Sequence, residues 1–555
     1  MTTQGEPVEE PLPGAPEADR PGRTDRVVFG VAAAVTLGFV AWGAFGTASL
    51  AASSRTALDW VIGNLGWAFV LSASGFVLFA LWLAASRYGR VPLGRDDEAP
   101  EFRTISWVAM MFSAGMGIGL MFYGVNEPLS HFVAPPPGTV EGGTDEALQT
   151  AMATTLFHWT LHPWAIYAVV GLAIAYGSFR RGRSQLISAA FEPLLGRRRA
   201  AGPAGRVIDV LAIFATLFGS ATSLGLGALQ IGSGLEVAGW LGEVGNGVVV
   251  GVIAVLTAAF VVSAVSGVAK GVQWLSNTNM VLAVVLAAFV FVVGPTVFVL
   301  NLVPTAIGDY FRDLADMAGR TAASGGDATE AWLSGWTIFY WAWWISWTPF
   351  VGTFIARISR GRTIRQFVAG VIGVPGLVSL AWFCVFGGTA ISAQRSGADL
   401  AGTASAEGQL FALLDRFPLA AVAGVLVVVL VAIFFVSGAD AASVVMGTLS
   451  QRGSIRPAKG VVVFWGVLTG LVAAVMLLVG GSRGLTGLQN LTVIAALPFA
   501  VVMVGLCASL ARDLRSDPLV RREERVAEVA RGVTARHDPE ETAYRAVERL
   551  TRRGV

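Results

Sequence analysis

The amino-acid sequence predicts an all-α membrane protein with twelve transmembrane helices. Of its 555 residues, 54% are hydrophobic and only 14% are charged, and the mean hydropathy is +0.65. A soluble protein of this size could not remove so much apolar surface from water. The apolar residues also form long blocks, and a bilayer core of about 30 Å requires roughly 20 such residues from each crossing helix.

The apolar blocks define the predicted spans. Each block must be helical, because backbone N–H and C=O groups in lipid have to pair within their own segment. The blocks lie near residues 27–50, 61–86, 104–124, 147–177, 207–235, 246–267, 275–302, 331–356, 366–391, 418–438, 459–482 and 488–511.

Basic residues in the loops predict which side of the membrane each loop faces. With both termini inside, the inner loops are 87–103, 178–206, 268–274, 357–365 and 452–459. They hold 19 Lys and Arg, whereas the outer loops hold 6. Cytoplasmic loops carry such an excess. We therefore expect a multi-pass protein of the bacterial cytoplasmic membrane with both termini cytoplasmic, and no nucleic-acid partner.

Composition divides the chain into three regions. Residues 1–26 are acidic and rich in proline, so we expect a disordered cytoplasmic arm. Residues 27–511 form the transmembrane domain. Residues 512–555 form a cytoplasmic tail with eleven Arg and nine acidic residues, and opposite charges four residues apart, such as Glu541 and Arg545, favour helix in parts of it.

Two segments contain helix-breaking residues at membrane depth. One is the glycine-rich run 115–119 in span three, and the other is Pro349 with Gly352 in span eight. Interrupted helices in corresponding positions of two halves are typical of inverted-repeat transporters, whose substrate site lies near the bilayer midplane. Close helix packing is the alternative explanation for the glycines.

Two aromatic clusters lie at membrane depth. Span eight has five Trp between Trp336 and Trp347, and span four has Trp159, Trp164 and Tyr167 around Pro163. A trimethylammonium group donates no N–H, and aromatic faces attract it by roughly 0.5–2 kcal/mol each. The clusters therefore suggest a cation–π box. The alternative is that the rings only fill the space between helices.

Hydroxyl pairs in spans five and ten are candidate ion ligands. Thr216 and Ser220 share a helix face, and Ser437 precedes Gly438; alternatively, such hydroxyls bond back to their own helix. Enzymatic chemistry is not expected, because the sequence offers no nucleophile–base set. His158 and His162 are four residues apart, but Pro163 and the neighbouring Trp favour packing over a metal site.

The span-eight run from Trp336 to Trp347 resembles the signature of the betaine/carnitine/choline transporter family. The resemblance extends over 27–511. It includes GMGIG at 115–119 followed by Phe122-Tyr123-Gly124, HWxxHPWxxY at 158–167 and FATLFG at 214–219.

The resemblance implies a LeuT-like fold and a substrate site. Two inverted repeats of five helices would cover about 104–302 and 331–511, with two extra N-terminal helices, and the protein would be a homotrimer. The ammonium box would comprise Trp159, Trp164, Tyr167 and Trp344. The substrate carboxylate would be held by Trp347 and the backbone of Ala114, Gly115, Met116, Gly117 and Gly119.

The resemblance also implies Na⁺ sites. One would use Thr216, Ser220 and Phe350. The second would use the carbonyls of Ser113 and Met116 together with Phe434, Ser437 and Gly438. Relatives with Asp at the position of Gly119 tend to carry choline and couple to protons, so Gly119 favours a zwitterion and Na⁺. Gly438 stands where Na⁺-coupled relatives usually have Ser, which weakens the second site.

These observations together predict a secondary active transporter that imports glycine betaine, or a similar quaternary-ammonium solute, by Na⁺ symport and alternating access. No cofactor is expected beyond the coupling ion. Proton-coupled choline uptake and substrate–product exchange are the alternatives, and a receptor for methylammonium ligands is a rival of another class. Osmotic regulation through the charged termini, with the tail on anionic lipid, is a hypothesis.

Overall fold

The structure, a computed structural model, describes residues 23–115, 117–266, 269–403, 405–481 and 483–537. Within these ranges the chain is helical, with one isolated antiparallel bridge between Pro92 and Thr363. The predicted all-α fold class is confirmed. The greater part of the predicted N-terminal arm, Met116 and the end of the predicted tail lie outside the described residues.

The helices are numbered in chain order. They are α1 (Arg26–Phe45), α2 (Thr47–Ala85), α3 (Thr104–Gly115), α4 (Ile118–Val133), α5 (Asp145–Trp159), α6 (Leu161–Ala175), α7 (Glu192–Leu195), α8 (Arg197–Ala200), α9 (Pro203–Val237), α10 (Asn246–Ser266), α11 (Ala269–Val293), α12 (Thr296–Gly319), α13 (Gly326–Gly335), α14 (Thr337–Ile358), α15 (Ile364–Arg395), α16 (Leu400–Thr403), α17 (Gln409–Leu414), α18 (Ala420–Ser450), α19 (Lys459–Val479), α20 (Gly484–Arg515) and α21 (Pro518–His537).

Each predicted span corresponds to a helix or to a pair of consecutive helices. In the described ranges, nine helices are long and apolar enough to cross a membrane, or up to eleven if each of two bent pairs is one span. The aromatic helix α14 is not among them. It is buried along nearly its whole length and packs against α6, α9 and α20, so it needs little apolar surface toward lipid.

The predicted break in span three is present. Segments Thr104–Ser113 and Ile118–Val133 meet at an angle of 64°, and Gly117 between them is fully extended. The helix then continues farther than predicted. We expected the span to end near residue 124, but α4 runs through Pro128 to Val133, so residues 125–133 belong to a helix and not to an outer loop.

The predicted break at Pro349 is wrong, because α14 continues through this residue. Proline donates no N–H, which leaves the carbonyl of Ile345 without its helical partner. The hydroxyl of Thr348 donates to that carbonyl at 2.6 Å and replaces the missing bond. Gly352 serves close packing instead: a Cβ there would lie 2.8 Å from Val170 Cγ1 and 3.1 Å from Gly171 N.

Two breaks that the sequence analysis did not predict lie before the aromatic helices. Thr160 separates α5 from α6 with φ −115° and ψ −99°, and Trp336 separates α13 from α14 with φ −122° and ψ −88°. Pro163 does not itself kink span four: it lies in the first turn of α6, where a missing N–H costs no helical hydrogen bond.

Loops predicted to lie on the same side of the membrane meet at the same end of the bundle. Arg360 pairs with Glu98 at 2.6 Å, and Arg180 bridges Asp96 and Asp517. Burial opposes ionisation of Asp517, but hydrogen bonds from Arg180 and Tyr176 outweigh it and hold the pKa of this carboxyl below its usual value. At the opposite end, Asn246 donates to the carbonyl of Gly481.

Substituting Gly352 tests the close contact between α6 and α14. We expect Gly352→Ala to lower the free energy of unfolding by about 1–3 kcal/mol, because the added methyl group overlaps Val170. Thermal unfolding of the purified protein in detergent measures the effect. Gly373→Ala is the control, since a Cβ at that position meets no atom within 4 Å. Equal melting temperatures for the two variants would contradict the contact.

Candidate functional site

The four residues predicted to form the ammonium box lie together. The ring centroids of Trp159 and Trp344 are 4.9 Å apart at 74°. Tyr167 lies 6.2 Å from Trp344 and 5.3 Å from Trp164, both nearly edge-on. All four side chains are buried. All four residues also line one small cavity, so a cation bound there would lie among aromatic rings, as in a cation–π site.

The break at Thr160 orients two of these rings. Carbonyls at the end of a helix have no intrahelical partner, and the carbonyl of His158, two residues before the break, accepts a hydrogen bond from Trp344 Nε1 at 3.0 Å. Trp159 is the last residue of α5. One interruption of the backbone thus positions Trp159 and fixes Trp344 across from it.

Gly119 permits the rings to approach α4. A Cβ at this position would lie 2.8 Å from the ring edges of both Trp159 and Trp343. Any larger residue would have to displace an indole. Gly119 is therefore needed because a side chain at this position would collide with Trp159 and Trp343. The sequence analysis had instead explained this glycine by access of the substrate carboxylate to the backbone.

Two cavities adjoin at this position. A small one, about 40 Å³, is lined by the box residues together with Gly117, Gly119 and Trp347. A larger one, about 190 Å³, is lined by Gly117, Trp347 and a set of hydroxyl-bearing residues. Gly117 and Trp347 belong to both linings, so they form the wall between the aromatic space and the hydroxyl space.

Of the residues predicted to hold the substrate carboxylate, Trp347, Gly117 and Gly119 line the small cavity. Trp347 Nε1 is buried and has no hydrogen-bond partner, so this N–H is free for an anionic oxygen in either cavity. Gly117 is extended beside it. Ala114 and Gly115 form the last residues of α3, and Met116 lies outside the described residues.

Two of the three residues of the first predicted ion site, Ser220 and Phe350, are at the larger cavity, whereas Thr216 is not part of its lining. The buried hydroxyl of Ser220 has no hydrogen-bond partner. Thr216 lies one turn earlier on α9 and donates its hydroxyl to the carbonyl of Ala212 at 2.8 Å. A hydroxyl that donates in this way keeps its oxygen lone pairs, so Thr216 still offers a ligand atom.

Of the second predicted ion site, the four residues that the structure describes line the same cavity. These residues are Ser113, Phe434, Ser437 and Gly438. The hydroxyl of Ser437 donates to the carbonyl of Ile433 at 2.8 Å, and α18 is continuous through Gly438. A Cβ at Gly438 would meet no atom within 4 Å, so open space lies where relatives are expected to have a hydroxyl.

Sequence reasoning missed two residues near these cavities. Ser223 is buried, lacks a hydrogen-bond partner and lines the larger cavity. Its spacing of three residues from Ser220 on α9 was the available signal. Glu127 is fully buried in α4 and accepts hydrogen bonds from Trp159 and Tyr340. An ionisable group at membrane depth is a functional candidate.

The two span-four histidines are engaged in different ways. His162 stacks on Trp341 at 5.0 Å and 20°, which agrees with the packing role that we expected. His158 instead lies between polar partners, with Nδ1 at 2.6 Å from Glu127 Oε1 and Nε2 at 2.9 Å from Thr337 Oγ1. It therefore joins α5 to α4 and to α14.

Helices that are long and apolar enough to cross a membrane, with adjoining cavities at a helix break, are typical of polytopic membrane transporters. Residues 27–519 match the family model described as BCCT, betaine/carnitine/choline family transporter. The chain belongs to this family. Its function is therefore transport of a small molecule and not enzymatic catalysis.

Three relatives named as betaine transporters are similar over most of their length. The betaine/ectoine transporter LcoP of Corynebacterium glutamicum is 47% identical, over 90% of this chain and 79% of that protein. The glycine betaine transporter OpuD of Bacillus subtilis is 45% identical, over 90% and 96%. Glycine betaine transporter 1 of Vibrio parahaemolyticus is 40% identical, over 88% and 94%.

Replacing Trp344 tests the aromatic box. Trp344→Leu should raise the KM for a quaternary-ammonium substrate by about 2- to 30-fold, which corresponds to the loss of one cation–π contact of about 0.5–2 kcal/mol. Uptake into proteoliposomes measures the KM. Trp240→Leu is the control, since Trp240 is exposed between α9 and α10. An unchanged KM in a folded Trp344→Leu protein would refute the box.

Proposed function

We propose that this protein imports glycine betaine, or a closely similar quaternary-ammonium zwitterion, by Na⁺ symport and alternating access. The observation that carries the proposal is the adjacency of the two cavities. A small cavity lined by ring faces of the kind that attract trimethylammonium shares Gly117 and Trp347 with a cavity whose lining includes four serines, which offer ligands for a small hard cation.

The substrate class follows from the chemistry of the aromatic space. A quaternary ammonium group donates no hydrogen bond, so ring faces stabilise it without leaving a polar group unpaired. The free N–H of Trp347 at the edge of the same space suits a carboxylate. A zwitterion satisfies both ends. The names of the relatives support betaine as the first candidate among zwitterionic solutes, and that of LcoP adds ectoine as a second.

The choice of Na⁺ rests on the lining of the larger cavity. Its described lining contains Ser113, Ser220, Ser223 and Ser437 but no carboxylate or imidazole. Neutral oxygen ligands suit a hard metal cation, whereas proton coupling needs a group that titrates. The carboxylate of Glu127 belongs to neither lining and contacts the box through Trp159 Nε1.

The proposal includes a cellular setting. The loop charges favour the bacterial cytoplasmic membrane with both termini inside. We further propose a homotrimer, as the family resemblance implies, and activation by osmotic stress through the charged termini.

Uptake into proteoliposomes under a defined ion gradient tests the proposal. Radiolabelled glycine betaine should accumulate against its own gradient when Na⁺ is high outside, and a proton gradient alone should not drive accumulation. Accumulation driven only by protons would overturn Na⁺ coupling. Failure of any gradient to drive glycine betaine, with transport of ectoine or of choline instead, would overturn the choice of substrate.

Replacing Ser220 tests the ion site. Ser220→Ala should raise the Na⁺ concentration for half-maximal uptake by about 2- to 12-fold. The substitution removes one oxygen ligand, which contributes about 0.5–1.5 kcal/mol to the free energy of Na⁺ binding. The KM for substrate at saturating Na⁺ should change little. Ser443→Ala is the matched control, since that buried hydroxyl on α18 is bonded to the carbonyl of Ala439. A Na⁺ titration equal to that of wild type would remove Ser220 from the site.

A further inference from the structure

A buried carboxylate lies directly behind the aromatic box. Glu127 Oε2 accepts a hydrogen bond from Trp159 Nε1 at 2.6 Å and another from the hydroxyl of Tyr340. Its other oxygen lies 2.6 Å from His158 Nδ1. His131 Nε2 is 3.6 Å from the same oxygen, beyond hydrogen-bond distance. The side chain of Glu127 has no exposed surface.

The contacts of this carboxylate join the elements that build the box. Glu127 belongs to α4, Trp159 and His158 to the end of α5, and Tyr340 to α14. Tyr340 stacks on Trp344 with centroids 5.8 Å apart at 20°. Glu127 therefore holds Trp159 directly, and it holds Trp344 through the ring of Tyr340 and through the segment whose carbonyl binds the Trp344 indole.

A shared metal ion does not explain the cluster. The ligand atoms of Glu127, His131 and His158 lie within 4.8 Å of one another. Two ligands of a tetrahedral zinc ion, each about 2.0–2.1 Å from it, are about 3.3 Å apart. The 2.6 Å between Glu127 Oε1 and His158 Nδ1 is too short for that geometry and fits a direct hydrogen bond.

We propose that Glu127 is a positioning residue of the ammonium site and that it also polarises the Trp159 indole. A hydrogen bond from Nε1–H to a carboxylate fixes the ring plane and shifts electron density toward the ring, and a more negative face attracts a cation more strongly. This inference rests on the proposed function, because it assumes that the box receives a quaternary ammonium.

Glu127→Gln separates the charge from the hydrogen bonds. The amide oxygen can still accept from Trp159 and Tyr340, and the amide nitrogen can donate to His158 Nδ1 when the histidine proton is on Nε2. The shape of the box is then retained while the anion is lost. We expect the Kd for glycine betaine, measured by radioligand binding to the purified protein, to rise by about 3- to 10-fold.

A ligand of the same shape without the positive charge reports whether the effect acts on the ammonium group. In tert-butylacetate, a carbon atom replaces the quaternary nitrogen of glycine betaine, and the carboxylate is kept. Because this ligand has no cation for Glu127 to attract, its competition constant should not rise in Glu127→Gln. Equal losses for glycine betaine and for tert-butylacetate would mean that the substitution only disturbs the fold of the site, and would overturn the proposal.

A double-mutant cycle tests whether Glu127 acts through Trp159. Phe at position 159 keeps a ring but has no N–H, so Glu127→Gln should have at most a small further effect on glycine betaine binding in the Trp159→Phe background. An effect as large as in the wild-type background would overturn the assignment. Asp209→Asn is the control. The buried carboxylate of Asp209 is hydrogen-bonded to Ser188, so this substitution should leave the binding of both ligands unchanged.

The outcomes distinguish this inference from the proposed function. Wild-type protein that binds no quaternary ammonium ligand would overturn the proposed function, and the inference would fall with it. Wild-type protein that binds glycine betaine, with no selective loss of glycine betaine binding in Glu127→Gln, would overturn the inference alone.

Discussion

The need to pair every backbone polar group inside an apolar medium governs this structure. Where the helices are continuous the constraint is met locally. Where they are interrupted, at Gly117, Thr160 and Trp336, freed carbonyls and N–H groups need other partners. The Trp344 indole takes the carbonyl of His158. The candidate site thus lies where helices are interrupted, and aromatic side chains with one polar atom suit such places because they can pair a freed backbone group.

Much of the fold could be predicted because apolar length and loop charge are strong signals. The positions of helix breaks were harder. The glycine run in span three does interrupt its helix, but Pro349 does not interrupt α14, because Thr348 replaces the lost hydrogen bond. No residue type marks Thr160 or Trp336 as a break. Those interruptions are set by tertiary contacts, which propensity alone does not reveal.

The sequence predicted the aromatic and hydroxyl residues of the candidate site, but it did not predict the buried carboxylate of Glu127 behind them. The aromatic residues and Ser220 were found because they belong to recognisable sequence motifs. Glu127 was missed because of the residues on either side of it. The sequence Asn126-Glu127-Pro128 reads as the end of a helix, since proline and asparagine usually follow one. The structure continues α4 past it to Val133 and buries the carboxylate. A single sequence cannot separate a loop acid from a buried one when a proline follows it.

The wall shared by the two cavities has a thermodynamic consequence. Gly117 and Trp347 face both spaces, and a ligand that orders this wall from one side lowers the conformational cost of binding on the other. Such linkage is reciprocal: whatever factor the ion contributes to the affinity for solute, the solute must contribute equally to the affinity for the ion. Cooperative binding of ion and solute would then need no direct contact between them, because both contact the same two residues.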